Sequence, residues 1–237
     1  MGGEIITSGA FSLPTTLVLV RHGQTLHNLA GRLAGWTDSP LSDVGRRQAE
    51  FVAAHIASRF KLTAIYASPL QRARLTARTI GRRTGLEPTY RDDLKELNFG
   101  DLENKTESEI SASHPGIWAA SQVLDDHAFS WPNGEARHLF YDRVERAFAE
   151  IAAAHSGQTV AIVSHGGVLG SYLAGVIEGK PYLWRSYLVK NCSTSVVELR
   201  VGGAREVTSF NDHSYLPATG GDLISVALAT ADAASDS

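Results

Sequence analysis

With 237 residues, 43% of them apolar and 20% charged, the chain is long enough for one α/β domain with a substantial core, and its composition excludes a disordered or fibrous protein. Its 22 basic and 25 acidic residues leave a net charge of −3, so no global field favours nucleic acid or an anionic membrane, and any affinity for anions must be local. The one cysteine, Cys192, excludes an internal disulfide framework and suits a reducing, cytoplasmic setting.

Residues 1–14 carry neither the basic leader nor the apolar core of a secretory signal and read as a flexible segment. No stretch is apolar for long enough to span a bilayer. A single domain is expected over residues 15–216. It opens with a strand at 16–20, apolar and β-branched as if covered on both faces, which ends in Arg21, His22 and Gly23. Ser42 is placed to cap a helix with Ala49, Val52, Ala53, Ile56 and Phe60 on one face. Residues 64–67 read as a second strand, followed by a helix with Pro69 in its first turn and Leu70, Ala73, Ala77 and Ile80 along one stripe.

A third strand is expected at 86–90. From about 98 to 134 the pattern is irregular apart from a short helix at 107–114, which marks an insertion that forms a lid. Residues 136–155 form a long helix through Phe140, Val144, Ala147, Phe148 and Ile151. The strand at 159–163 repeats the first construction: it ends in Ser164, His165, Gly166 and Gly167 ahead of an apolar helical run at 168–176. Strands at 193–199 and 205–210 close the domain, and residues 217–237, rich in Ala, Ser, Thr and Asp, read as a mobile tail. Alternating strands and helices predict a three-layer α/β/α sandwich around a mixed, mostly parallel sheet.

A strand that delivers a guanidinium, an imidazole and a glycine to its carboxyl end is building an anion site, because ligands of open α/β sheets bind there. Singly, Arg21 and His22 read equally as polar residues where a strand meets solvent. Arg72 reads as a surface residue at a helix start, Glu96 as a loop carboxylate, and His165 as a satisfied polar group. Taken together, LVRHGQTLHN, GWTDSPLSDVGRRQA, SPLQRARLTA, LKELNFGDLE and VSHGG occur in an order that resembles the histidine phosphatase superfamily, also called the phosphoglycerate mutase-like family. The resemblance runs over about residues 17–210 and implies a phosphoglycerate mutase-like fold with a lid insertion.

It also implies an activity: a metal-independent phosphomonoesterase acting on small phosphate monoesters. His22 matches the family nucleophile that becomes a phosphohistidine, and Arg21 and Arg72 match the cations that keep its ring neutral and hold the phosphoryl oxygens. His165 matches a second histidine on the phosphoryl group, expected as a cation. Gly166 offers a backbone N–H at a helix start, and Asn28 matches a further donor in the same pocket. Glu96 matches the proton donor, with Glu103 the competing carboxylate. Gln24 and Thr25 flank the nucleophile and are candidates for substrate contact, and His213 is a candidate assistant returning after the last strand. Neither metal nor cofactor is expected, since nine histidines show no HExxH-like spacing. The expected partner is a small-molecule phosphate monoester, not nucleic acid or membrane.

Two alternatives stay open: a phosphoglycerate mutase dependent on 2,3-bisphosphoglycerate, and a binding module that has lost turnover. A mutase needs cations beyond the phosphoryl pocket, yet between Asp101 and Glu135 the only basic residue other than histidine is Lys105. Phe99, Trp118 and Trp131 offer either stacking surfaces or lid packing. Leu102, Glu103 and Asn104 stand where many family phosphatases read WEG, and Ala136 stands where many carry a hydroxyl. Both departures bear on substrate identity rather than on the chemistry.

Overall fold

The computed structural model describes residues 13–217; the expected N-terminal segment and C-terminal tail lie almost entirely outside these. Six strands form one sheet: β1 (Thr15–Arg21), β2 (Ala64–Ala67), β3 (Thr89–Tyr90), β4 (Thr159–Ser164), β5 (Thr194–Leu199) and β6 (Arg205–Asp212), in the spatial order β3-β2-β4-β1-β5-β6. The run from β3 to β1 is parallel, and β5 and β6 add antiparallel to it. β1 is therefore central. Its alternate residues serve opposite cores: Leu17 and Leu19 pack on one face of the sheet, Val18 and Val20 on the other. This is why the sequence is apolar throughout instead of alternating.

The helices α1 (Leu26–Leu29), α2 (Asp43–Arg59), α3 (Gln71–Thr84), α4 (Glu107–Ser113), α5 (Pro115–Gln122), α6 (Arg137–Ala154) and α7 (Gly166–Glu178) complete the layers. One face of the sheet is covered by α2 and α3, through Val52, Ile56, Ala73 and Ile80; the other by α6 and α7, through Phe148, Ile151, Leu169 and Leu173. Ser42 caps α2 by accepting from the Gly45 N–H at 3.0 Å, as its position predicts.

Three local expectations are corrected. The third strand is limited to Thr89–Tyr90, the part that reaches Tyr66 and Ala67 of β2. Pro69 sits before the N-cap, Leu70, outside the helix instead of in its first turn. The lid holds more helix than its composition announced: α5 begins with Pro115 in its first turn, where the missing N–H costs nothing. The lid is stitched to the loop after α1 by an isolated bridge, Arg32 with Thr106, and by backbone bonds between Leu33 and both Asn104 and Lys105.

Candidate active site

Neighbouring parallel strands β1 and β4 end side by side, with Arg21 in register with Ser164; β1 turns into a loop through Gly23, and β4 passes through His165 straight into α7 at Gly166. The two histidines thereby meet: their ring centroids lie 5.1 Å apart at an interplanar angle of 58°. The loop after β1 is held down by backbone packing. A Cβ on Gly23 would lie 2.5 Å from the Gly45 carbonyl oxygen, and one on Gly45 would run into the Gln24 backbone, so α2 can dock against the loop only where both residues are glycine.

His22 Nδ1 lies 2.8 Å from the Gly23 carbonyl oxygen. A carbonyl can only accept, so Nδ1 carries the proton and Nε2 keeps its lone pair on the side of the ring that lines the cleft. Burial, then the charges of Arg72 and Arg21, hold the imidazole well below the usual histidine range. His165 is fixed in the complementary way. Arg72 Nε donates to its Nδ1 at 3.2 Å, and since an arginine has nothing to accept with, Nε2 carries the proton and bonds Ser68 Oγ at 2.7 Å. Burial first, then Arg72, His22 and Arg21, keep this ring neutral as well. The geometry thus differs from the expected cationic His165: with a guanidinium donating to one nitrogen, the ring has no place for a second proton.

Arg72 is almost fully buried and carries three roles. Besides His165, it donates to the Gly35 and Thr37 carbonyls at 2.6 and 3.0 Å, which aims the guanidinium at the cleft. Burial pulls its pKa down to about 10, so it stays charged at neutral pH. Arg21 donates to the Val189 carbonyl at 2.6 Å, while its Nε is buried without a partner. Asn28 lines the same cleft, its Oδ1 accepting from the Thr25 N–H and from Asn191 Nδ2. Gly166 opens α7, where a first-turn N–H has no intrahelical acceptor.

Glu96 reaches in from the loop that follows β3. Its carboxylate accepts from the Gly167 N–H at 3.0 Å and from its own neighbour's, Leu97, at 2.9 Å. A Cβ on Gly167 would run into Glu96 Oε1, so the second glycine of the HGG run is what lets this carboxylate approach the helix end. Glu103 does something else: it accepts from the Trp36 and Thr37 N–H groups and the Thr37 hydroxyl, clamping the loop that carries the carbonyls for Arg72. Between the two acids, geometry places Glu96 on the cleft wall and Glu103 behind it.

The structure gathers Arg21, His22, Asn28, Arg72, Glu96 and Gly166 around one cleft of about 430 Å³, with His165 fully buried behind Arg72. It does not bring Gln24, Thr25 or His213 there. Gln24 accepts from Ser42 Oγ at 2.8 Å, and Thr25 caps α1, so both side chains are spent on holding the loop. His213 pairs with Lys190 Nζ at 3.0 Å. Cys192 is fully buried, with its thiol pushed up by burial, an inert packing residue.

Several contributors escaped sequence reasoning. Asn191 Nδ2 holds the His22 carbonyl at 2.9 Å. Arg143, on α6, donates to the carbonyls of Asp93, Lys95 and Glu96 and pairs with Glu135 at 2.7 Å, bracing the whole loop that carries the acid. Trp36 Nε1 donates to the Glu96 carbonyl at 2.7 Å. Arg143 was hidden because it reads as one more charge on an amphipathic helix. At the far end of the cleft, Arg32 and Arg185 line the wall although neither lies in the lid segment, so counting charges between Asp101 and Glu135 missed them. Among the described residues, no group of three or more His, Cys, Asp or Glu side chains could hold a metal ion, and no helix is long and apolar enough to cross a membrane.

Two neutral imidazoles with fixed tautomers, two buried guanidiniums and a facing carboxylate form a constellation suited to phosphoryl chemistry. The chain belongs to the histidine phosphatase superfamily: the family model for branch 1 matches residues 17–213. Among its relatives, phosphoglycerate mutase-like protein 4 of Arabidopsis thaliana is 31% identical over 205 residues, which cover 86% of this chain and 88% of that one. The solved structure of YhfR from Bacillus stearothermophilus superposes with a TM-score of 0.78 at 31% identity, over 86% of this chain and 100% of the other. A phosphoserine phosphatase from Entamoeba histolytica, solved with 3-phosphoglyceric acid, gives 0.76 at 28% identity over 86% and 100%.

Proposed function

We propose that the protein is a metal-independent phosphomonoesterase that works through a phosphohistidine on His22. The observation that carries this reading is the tautomer of His22: with Nδ1–H held by the Gly23 carbonyl, the lone pair of Nε2 faces a cleft walled by Arg21 and Arg72. In the first step Nε2 attacks phosphorus in line with the ester oxygen, the P–O bond breaks, and Glu96 gives its proton to the departing alcohol. In the second, Glu96 takes a proton from water, which attacks the phosphohistidine and returns His22 and inorganic phosphate. The terminal N–H groups of Arg21 and Arg72 not spent on the Val189, Gly35 and Thr37 carbonyls, with the Gly166 N–H, supply the donors that a phosphoryl dianion and its transition state require.

The mutase reading draws on the name of the Arabidopsis relative and on Arg185 in the cleft. It is the weaker one. Arg32, the other distal cation, is held in an ion pair with Glu109 at 2.9 Å, and Glu107 shares the wall with Arg185, so a second phosphate would meet a carboxylate there. The test is an assay in chelator that follows phosphate release from a panel of monoesters and, in parallel, primer-dependent exchange of 2- and 3-phosphoglycerate. Release that disappears in His22→Ala supports the phosphatase. Exchange that outruns release would replace it with a mutase. Neither activity would leave a site that binds without turnover.

A further inference from the structure

Several fixtures of the phosphoryl end converge on one short segment, residues 189–192, which joins the 3-10 turn over Pro181–Tyr187 to β5. The Val189 carbonyl accepts from Arg21 Nη1 at 2.6 Å, and the Cys192 N–H donates to the Arg21 carbonyl at 3.0 Å. Between them Asn191, only 9% exposed, reaches both the His22 carbonyl and the Asn28 side chain. The segment is itself tied down: the Lys190 N–H donates to Asn211 Oδ1 at 2.8 Å, and Ser193 Oγ donates to the Lys190 carbonyl at 2.8 Å. Cys192 is held at a φ of +53°, a left-handed conformation that residues with a side chain adopt only when their surroundings impose it.

Backbone groups that cannot reverse their roles fix the direction of both amides. The Thr25 N–H can only donate, so the Asn28 atom that faces it at 3.1 Å is Oδ1. The His22 carbonyl can only accept, so the Asn191 atom that faces it at 2.9 Å is Nδ2. That nitrogen has a second N–H, and it is directed at Asn28 Oδ1 at 3.3 Å. With two donors gathered on Oδ1, the Asn28 side chain presents Nδ2 as its outward group, and this side chain lines the cleft beside Arg21 and His22. A half-turn of the Asn28 amide would set N–H against N–H at both contacts and turn an acceptor toward an anionic oxygen. Thr25 opposes that turn with one hydrogen bond; Asn191 adds a second and ties it to the main chain of the nucleophile.

We infer that Asn191 is a positioning residue of the phosphoryl pocket, which holds the Asn28 amide with its N–H toward the phosphoryl oxygens and couples that amide to the main chain of His22. This rests on the phosphatase reading, which puts the phosphoryl group there, and adds to it a residue 163 positions from Asn28 in sequence. Asn191 touches no reacting atom; it acts through Asn28.

The experiment measures binding of inorganic phosphate by titration calorimetry, with kcat and KM for an aryl phosphate in parallel. The proteins are wild type, Asn28→Ala, Asn191→Ala, Asn191→Asp, and the two double variants that join Asn28→Ala to each change at position 191. Loss of one hydrogen bond to an anion predicts phosphate binding about tenfold weaker in Asn28→Ala. Asn191→Ala is expected to lose about three- to tenfold, to raise KM more than it lowers kcat, and to cost less than about twofold once Asn28 is already replaced. Asn191→Asp keeps the shape of the side chain, which guards against a folding failure of the alanine variant, but offers an acceptor where a donor is needed. It should weaken phosphate more than Asn191→Ala does, and part of that loss should vanish in the Asn28→Ala background, where only charge repulsion is left. An asparagine that merely fills space predicts the opposite order, with Asn191→Asp the milder change, and losses that add in the double variants; either result would overturn the inference while turnover upholds the phosphatase reading. Phosphate binding with the expected pattern but no hydrolysis of any ester would overturn the phosphatase reading and keep the assignment of Asn191. Wild type that binds no phosphate would overturn both.

Discussion

The two ends of the cleft are built by different means. At the phosphoryl end the functional side chains sit at the end of a strand, in the loop after it or in the helix that opens next, and the donors are aimed by backbone carbonyls: Gly23 for His22, Gly35 and Thr37 for Arg72, Val189 for Arg21. At the distal end the walls come from the loop after α1, the lid and the turn over Pro181–Tyr187, held to one another by side chains such as Glu109, Gln122 and Arg32. The first arrangement is tied to the centre of the sheet and tolerates little. The second can be re-lined by substitution without disturbing β1 or β4.

That contrast can be broken most severely at the acid. Glu96→Gln is expected to lower kcat for esters with poor leaving groups by about 10²- to 10⁴-fold, with the loss much smaller for an activated aryl phosphate that needs no protonation. Glu103→Gln should fall well short of this and act mainly on KM, because Glu103 supports the loop that aims Arg72. Equal losses in the two variants, measured on the same ester, would remove the distinction drawn between them.

Next in size is the brace behind the acid. Arg143 and Glu135 are mostly buried, and Arg143→Leu leaves the Glu135 carboxylate without its charged partner and the Asp93 and Lys95 carbonyls without their donor, a loss of about 3–5 kcal/mol. Calorimetry should show a melting temperature lower by roughly 10 °C. An unchanged melting temperature would mean that the loop carrying Glu96 is held by something other than this pair.

Gly167→Ala is a milder and more pointed change. The added methyl meets only the tip of the Glu96 side chain, so folding should survive while the carboxylate is displaced from the α7 N-terminus. A misplaced general acid predicts a fall in kcat of about tenfold, read by steady-state kinetics, with little change in melting temperature. Full activity would show that Glu96 does its work from another rotamer.

A further effect is that of pH on stability. His22 and His165 titrate well below 6.5 when folded and near 6.5 when unfolded, so in that interval the unfolded chain binds more protons. Their contribution is complete above pH 6.5 and is lost as pH falls, by up to about 1.4 kcal/mol per pH unit for each ring. A melting temperature that drops on acidification from pH 7 to 5 is the expected result. Protonation of either imidazole seen by side-chain NMR near pH 6.5 would contradict it.

How much of this was legible beforehand follows the same division. Residues 17–20 and 160–163 announce β1 and β4 because a doubly covered strand needs apolar residues at every position, and the polar residues that break those runs are the site. Ser42 was readable as a cap for a local reason, one hydroxyl and one N–H three residues apart. What depends on distance in space was not. Nothing in the helix carrying Arg143 says that it meets the Glu96 loop, and nothing near Trp184 and Arg185 says that they close over a lid more than sixty positions earlier in the chain. Gln24 and Thr25 lie next to His22 in sequence without lining the cleft, because a short loop that must hold a histidine still spends its own side chains doing so.

The register of β1 with β4 also governs the order of events when the chain folds. Arg72 and His165 are 93 residues apart in sequence, and Asn191 and His22 are 169 apart, yet each pair shares a hydrogen bond at the site. Contacts of such separation form late, after loop-closure entropy has been overcome. No partial chain and no hairpin intermediate holds a complete phosphoryl pocket, so the return of turnover after dilution from denaturant is a clock for the central strand pairing itself.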